Sequence, residues 1–138
     1  MSATANSAHA IATVGAPDNA AVYFAVDVDT NATQIKKLVL PYFASIDAAF
    51  KSLAPNLRCG VYGSGAVREA VVGAQLADFP WLSCSLGWSG SRAYLASNKW
   101  VLRQHVPATI AGIDCDPDDA NGDFGDFAPF ASASPVSA

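Results

Sequence analysis

The chain contains the stretch Val22-Tyr23-Phe24-Ala25-Val26-Asp27-Val28-Asp29, in which apolar and aromatic residues run directly into two carboxylates separated by one valine. A continuous apolar run that ends in charge is typical of a buried parallel strand whose C-terminal end opens into a site. Side chains alternate along a strand, so Asp27 and Asp29 are predicted to share one face, roughly 6–7 Å apart along it. Tyr23 and Ala25 are predicted to lie on the same face of the strand as the two aspartates, and Phe24, Val26 and Val28 on the opposite face.

The two carboxylates favour a binding or catalytic site. Ionised groups beside an apolar strand are costly unless water, a partner or a ligand meets them. For a single aspartate, the simpler interpretation is that Asp29 caps the following helix and Asp27 bonds to nearby backbone. Because Asp27 and Asp29 occur as a pair at the end of a strongly apolar strand, we favour a binding or catalytic site.

The composition limits what the chain does. Its 138 residues suffice for one domain with a core, and a content of 51% hydrophobic and 14% charged residues excludes a disordered protein. The net charge is −4 and no basic cluster occurs, which argues against a nucleic-acid partner. No apolar run is long enough to span a bilayer, so we expect no membrane partner.

Strand-like and helix-like segments alternate along the chain. This order predicts right-handed βαβ units, a parallel sheet and an α/β fold. Pro41 is expected to kink or split the first long helix. A further helix is predicted at Ala3–Val14. After Val22–Asp29, the predicted strands are Arg58–Tyr62, Trp81–Leu86, Trp100–Val106 and Ile110–Cys115, and the predicted helices are Gln34–Leu53, Ala66–Leu76 and Ser91–Ser97.

Polar and glycine-rich residues follow each predicted strand, which places a site at the C-terminal edge of the sheet. If Asp27 and Asp29 define the site face, the matching residues on the later strands are Tyr62, Ser64, Ser83, Ser85, Asp114 and Asp116. The three cysteines have the opposite phase and no metal spacing, and their odd number argues against a disulfide framework. We therefore interpret Cys59, Cys84 and Cys115 as buried apolar residues.

Several short motifs follow one another between Ser7 and Phe127. They are Tyr23–Asp29, Pro41-Tyr42-Phe43, Gly60–Gly65, Trp81-Leu82-Ser83 with Gly87–Ser91, and Gln104 with Gly112–Asp116. Together they resemble the bacterial glycoside-hydrolase-like domain of unknown function that is related to family 25 lysozymes (muramidases).

The resemblance implies a TIM-type (β/α) barrel with outer helices, present here only in part. Tyr23–Asp29 would be the fourth strand and Ile110–Asp116 the last, so the chain would hold strands 4 to 8. Ser7–Val14 matches the third helix, and the first three βα units have no room. The chain is then either a fragment or a partial barrel completed by a partner, with two open sheet edges that favour a homo-oligomer or a completing chain.

The resemblance also implies a chemistry, the cleavage of peptidoglycan-type glycosidic bonds by carboxylates. The parent lysozymes carry Asp-x-Glu at the end of the fourth strand, with Glu as general acid, and the matching residues here are Asp27 and Asp29. Asp29 is the expected acid, and Asp27 would orient it or stabilise the cationic transition state. Substrate contacts are expected from Tyr62, Ser64, Trp88, Gln104, Asp114 and Asp116. Trp81 could also stack on a sugar face, although core packing is the favoured role for Trp81 and Trp100.

Two other functions are alternatives. One is a non-catalytic glycan-binding or protein-interaction module on a degenerate barrel. The other, more remote, is a nucleotide- or phosphate-binding domain, although Arg68 replaces the third glycine of the dinucleotide fingerprint that would begin at Gly63. The acidic run from Asp114 lacks the glycine and glutamate of a calcium loop, and His105 has no Ser or Cys partner by spacing. We expect no metal and no cofactor.

Residues 1–130 are predicted to form a single domain, followed by a disordered tail at Ala131–Ala138. No signal peptide is recognised at the N-terminus of this sequence. The resemblance implies a secreted or cell-envelope protein, and a cytoplasmic one is expected if the chain is complete as given.

Overall fold

A computed structural model of the chain describes Thr13 and residues 15–125. These residues form a mixed α/β structure with a mostly parallel five-stranded sheet in the order β1-β2-β3-β4-β7. The first four strands are parallel, and β7 pairs antiparallel with β4. The strands are β1 (Ala21–Ala25), β2 (Arg58–Gly63), β3 (Phe79–Leu82), β4 (Leu102–Gln104), β5 (Ala108–Ile110), β6 (Ile113–Cys115) and β7 (Asp118–Ala120). The helix predicted at Ala3–Val14 and the tail at Ala131–Ala138 lie outside the described residues, Thr13 apart.

Helices connect the parallel strands. They are α1 (Ala32–Gln34), a π-helix (Ile35–Val39), α2 (Leu40–Leu53), α3 (Gly65–Gly73) and α4 (Ser91–Ser97). Helix α1 begins with a capping box at Asn31. The Asn31 side chain accepts a hydrogen bond from the backbone amide of Gln34, and the Gln34 side chain accepts one from the backbone amide of Asn31. The expected break at Pro41 is present as a change of helix type, since π-helical bonding ends at Leu40 and Pro41 has no amide to donate.

The core lies between the sheet and these helices. Buried side chains recur along the helices at Ile35, Val39, Phe43, Ile46 and Phe50, as the helical spacing predicts. Phe24 of β1 packs against this layer, with its ring 5.8 Å from that of Phe50 and nearly perpendicular to it. We call this helix-covered side the outer face of the sheet and the opposite side the inner face.

The cysteine prediction is correct for one residue of three. Cys59 is 8% exposed on the outer face, and burial raises the pKa of its thiol to about 12. Cys84 and Cys115 are only half-buried, because they lie in the connection after β3 and in the β5–β6 hairpin, which no helix covers.

The predicted fifth parallel strand at Ile110–Cys115 is wrong. The chain reverses inside it, because Ala111 and Gly112 both adopt positive φ (52° and 80°) and form a tight turn. The result is the β5–β6 hairpin, a separate two-stranded antiparallel sheet. β7 then pairs with the β4 edge and becomes an end strand itself, so in the described part of the chain the two end strands of the sheet are β1 and β7. The described residues form no closed barrel.

Residues 121–125 return across the N-terminal end of the inner face. The Tyr23 hydroxyl donates to the Phe124 carbonyl at 2.7 Å, and the Ala21 amide donates to the Gly125 carbonyl at 2.8 Å. Asp123 lies 3.5 Å from the Arg58 guanidinium. The N-terminal end of the inner face is therefore closed, whereas the end at which the parallel strands finish stays accessible. None of the helices in the described part of the chain is long and apolar enough to cross a membrane.

Candidate functional site

A groove of about 250 Å³ lies on the inner face where the parallel strands end. Its position follows from register, because Ala25, Tyr62 and Trp81 are direct partners across β1, β2 and β3 and so project from the same face. The alternation predicted from Tyr23 through Ala25 to Asp27 is present. The groove is lined by Tyr23, Ala25, Asp27, Tyr62, Trp81 and Gln104.

Three aromatic rings form the floor of this groove. The Trp81 ring packs edge-to-face against Tyr62 at 5.1 Å and against Tyr23 at 5.4 Å, which fixes the three rings relative to one another. The Tyr62 hydroxyl donates to Oε1 of Gln104 at 2.8 Å, and the Trp81 indole donates to the Asp118 carboxylate at 2.7 Å. Burial raises the pKa of Tyr23 and Tyr62, so both phenols are neutral at physiological pH. The floor is thus rigid, aromatic and uncharged.

Asp27 is the carboxylate of the groove. β1 ends at Ala25, earlier than predicted, so Asp27 stands just beyond the strand and is exposed. After burial, its negative charge is the largest cause of the raised Tyr62 pKa, which places it close to that phenol. No donor among residues 15–125 bonds to the Asp27 side chain, so both of its oxygens can accept from a ligand.

Asp29 has a different place. Its Oδ1 accepts from the backbone amide of Ser89 at 2.9 Å, and this bond lowers the pKa of Asp29 below its ordinary value. The side chain is exposed and does not line the groove. Because β1 stops at Ala25, strand alternation does not extend to Asp29, and the expected sharing of one face with Asp27 is not realised. The first helix is capped by Asn31, so Asp29 does not cap it either.

Comparison with known proteins identifies the family of the chain. The sequence profile of the Rv2525c-like, glycoside hydrolase-like domain family matches residues 2–122. The chain belongs to this family. It is also similar to the uncharacterized protein YbfG of Bacillus subtilis (strain 168), with 32% identity over 123 residues that cover 80% of this chain and 17% of YbfG. The chain thus spans about a sixth of the length of that relative. No solved structure matches the chain.

Ser64 lies behind the groove of this glycoside-hydrolase-like domain. It is fully buried, and its hydroxyl caps α3 by accepting from the Val67 amide at 3.2 Å. The Gly65 amide donates to the Ser91 hydroxyl at 3.1 Å, and the Ala66 amide donates to the Ser89 carbonyl at 2.9 Å. The first amides of α3 are therefore occupied by the protein itself. The turn offers no cradle for a phosphate, and Ser64 is not accessible to a substrate.

The remaining predicted site residues divide into two groups. Gln104 lines the groove, and Asp116 is close enough for its charge to raise the pKa of Tyr62. Asp114 is on β6 and accepts from the Thr109 hydroxyl at 2.9 Å, so it belongs to the hairpin. Trp88 is half-buried in the loop that Asp29 holds, outside the groove lining.

The sequence interpretation gave too little weight to Trp81, which lines the groove, and missed Asp118, which is bonded to Trp81 beside it. Trp81 was assigned to core packing, although it has the same strand phase as Ser83, which was placed on the site face; that phase was the available signal. Asp118 was placed in an acidic loop. Its role in β7 follows from antiparallel pairing with β4, which no local pattern indicates.

The acidic run does not form a metal site within the described residues, where no group of three His, Cys, Asp or Glu side chains could hold an ion. Asp114, Asp118 and Asp119 are directed to separate partners, which are Thr109, Trp81 and His105.

Proposed function

We propose that this domain binds cell-wall-type glycan in the inner-face groove and cleaves its glycosidic bonds. The observation that carries the proposal is the fixed aromatic floor of Tyr23, Tyr62 and Trp81 beside the free carboxylate of Asp27. A sugar ring has apolar faces that pack on aromatic side chains and hydroxyl groups that bond to carboxylates and amides. Gln104 supplies the amide.

The proposal extends to the wider fold. We propose that the parallel strands β1 to β4 correspond to strands 4 to 7 of a TIM-type barrel that is related to family 25 lysozymes. Such barrels place their sites at the C-terminal ends of the strands, where the groove lies. The substrate is then peptidoglycan, and the protein acts at the cell envelope. The missing strands would come from a second chain or from further sequence, in keeping with a chain that covers 17% of YbfG.

Asp27 has the clearest chemical role in this proposal. Glycoside cleavage develops positive charge on the sugar ring, and an ionised carboxylate beside the ring stabilises that charge. Asp27 lines the groove, and no described donor competes for its oxygens. The reaction also requires a proton donor for the leaving oxygen, and in this proposal the donor is not Asp29, whose carboxylate accepts from the Ser89 amide and whose pKa is lowered by that bond.

A second function is supported by that same observation about Asp29. If no other carboxyl group supplies the proton, the groove binds glycan without cleaving it. The domain is then a glycan-binding module with an intact aromatic floor.

The test combines two measurements on purified peptidoglycan, the release of reducing ends and binding in a pull-down. Tyr62→Ala removes part of the groove floor and is expected to weaken binding about tenfold, the effect of losing one well-packed aromatic contact. Tyr42→Ala is the matched control, because Tyr42 lies on the outer face and is also partly exposed. Equal binding by both variants would remove the groove from the proposal. Binding without any release of reducing ends would favour the binding module.

A further inference from the structure

We propose that the carboxyl group of Asp118 is the proton donor for glycan cleavage, held at the groove by the indole of Trp81. The assignment rests on the proposed function, since it concerns the same groove. It gives the role of acid to a residue that lies outside the motif Asp27–Asp29.

The position of Asp118 follows from strand pairing. In the antiparallel β4–β7 pair, Asp118 stands directly opposite Gln104. Direct partners project from the same face of a sheet, and Gln104 lines the groove. The 2.7 Å bond from the Trp81 indole fixes one carboxyl oxygen of Asp118 beside the aromatic floor. Asp118 is not one of the residues that line the groove; it stands beside the groove, and its exposed carboxyl group can meet a ligand that extends past Trp81 and Gln104.

The neighbouring carboxylates are engaged differently. Asp119 projects from the opposite face, where it lies 2.7 Å from Nε2 of His105 and 3.9 Å from the Arg103 guanidinium. Asp29 accepts from a backbone amide. Asp118 has only a neutral indole as donor, which stabilises an ionised carboxylate less than a cation does.

The charges around Asp118 favour its protonated form. Burial raises its pKa, and the negative charges of Asp116 and Asp119 raise it further. The Trp81 bond and the charge of His105 act in the opposite direction, and the net shift is upward.

In this step Asp118 is the acid, and Asp116, which is close enough for its charge to raise the pKa of both Tyr62 and Asp118, is the base. Asp118 gives its proton to the glycosidic oxygen while the bond from that oxygen to the anomeric carbon breaks, and the bonding electron pair stays on the oxygen. Water attacks the anomeric carbon and gives its proton to Asp116. Two sugar ends with free hydroxyl groups are released. Exchange with solvent then returns the proton to Asp118.

The first test compares variants in the reducing-end assay across pH. Wild-type kcat is expected to fall as pH rises through the pKa of Asp118, because only the protonated carboxyl is active. Asp118→Asn should lose on the order of 10²–10⁴ in rate and lose this pH dependence. Asp119→Asn, at the adjacent outward-facing residue, should keep a pH-dependent rate at low pH, with the fall moved to lower pH because one charge that raises the pKa of Asp118 is removed. If Asp118→Asn were as active as the wild type, the assignment of Asp118 as acid would be wrong while the proposed cleavage would stand. If the wild type were inactive, both the assignment and the proposed cleavage would be wrong.

The second test does not require activity. The chain has three tryptophans, so three indole N–H signals are expected by NMR, and Trp81→Phe identifies one of them. That signal should move with pH as Asp118 titrates, with a midpoint above the ordinary aspartate value of 3.8. A midpoint at or below that value would overturn the assignment. In active enzyme, Trp81→Phe should shift the alkaline limb of kcat to higher pH, because the ionised carboxylate loses a hydrogen bond.

Discussion

The carboxylate of Asp29 holds the backbone amide of Ser89 at 2.9 Å, across 60 residues of sequence. The bond joins the loop after β1 to the loop after β3, in which Trp88 lies. The side chain that the family resemblance assigns as general acid therefore holds the backbone of another loop. Its lowered pKa means that this contact is complete above the ordinary aspartate pKa and is lost as pH falls through the lowered value.

Replacement of Asp29 distinguishes a structural contact from an acid. Asp29→Asn is expected to keep most activity and binding, because its amide oxygen still accepts from Ser89. Asp29→Ala removes the acceptor and should speed hydrogen exchange of the Ser89 amide about tenfold, measured by NMR. If Asp29→Asn abolished cleavage while Ser89 exchange stayed slow, Asp29 would be the acid after all.

Glycine is required at the start of α3 but not at its end. A Cβ on Gly65 would collide with the Gly90 carbonyl, whereas a Cβ on Gly73 would meet nothing within 4 Å. Gly65→Ala is therefore expected to destabilise the fold by about 1–3 kcal/mol through overpacking. Gly73→Ala, the matched control in the same helix, should be neutral or stabilise by up to about 1 kcal/mol. Urea unfolding measures both, and equal effects would contradict the close packing at Gly65.

Much of the sheet follows from the sequence. Apolar runs that end in glycine or acidic residues identify β1, β2 and β3, and the helices between the strands force parallel pairing. The prediction fails at Ile110–Cys115, where an apolar run of strand length contains a turn that depends on positive φ at Ala111. A short apolar run does not by itself distinguish one strand from a hairpin.

The candidate site was predictable only in part. Strand phase alone brings Asp27 and Tyr62 to one face, and Gln104 joins them through the order of the strands. Asp118 depends on a long-range pairing of β7, and Ser64 turned out to be a cap because its strand ends at Gly63. Phase is a local property, whereas strand ends and edge pairing are decided by the tertiary fold.

The three cysteines are expected to react at different rates with a thiol reagent in the native state. Cys59 should be slow, because it is 8% exposed and its pKa is about 12, so almost no thiolate is present at neutral pH. Cys84 and Cys115 are half-buried and should react faster. Peptide mass spectrometry of a labelling time course separates the three, with urea-unfolded protein as the control in which all react alike. Fast native labelling of Cys59 would contradict the core described above.

The β1 edge carries the last prediction. Arg58 donates its amide to Ala20 and Val26 donates its amide to Tyr62, so even-numbered residues of β1 face β2. The odd-numbered residues face the open side, where Gly125 pairs with Ala21. Among residues 15–125, no strand pairs with the main-chain groups of Tyr23 and Ala25, and such an edge pairs readily.

We therefore expect concentration-dependent self-association of the isolated chain in analytical ultracentrifugation. Ala25→Pro removes one donor on the open edge and leaves the β1–β2 ladder intact, so it should weaken association by about tenfold or more. Ala25→Gly keeps that amide and should associate like the wild type. A wild type that stays monomeric at all concentrations would show that the β1 edge is not available for pairing. Equal association of Ala25→Pro and Ala25→Gly would show that self-association uses a different surface.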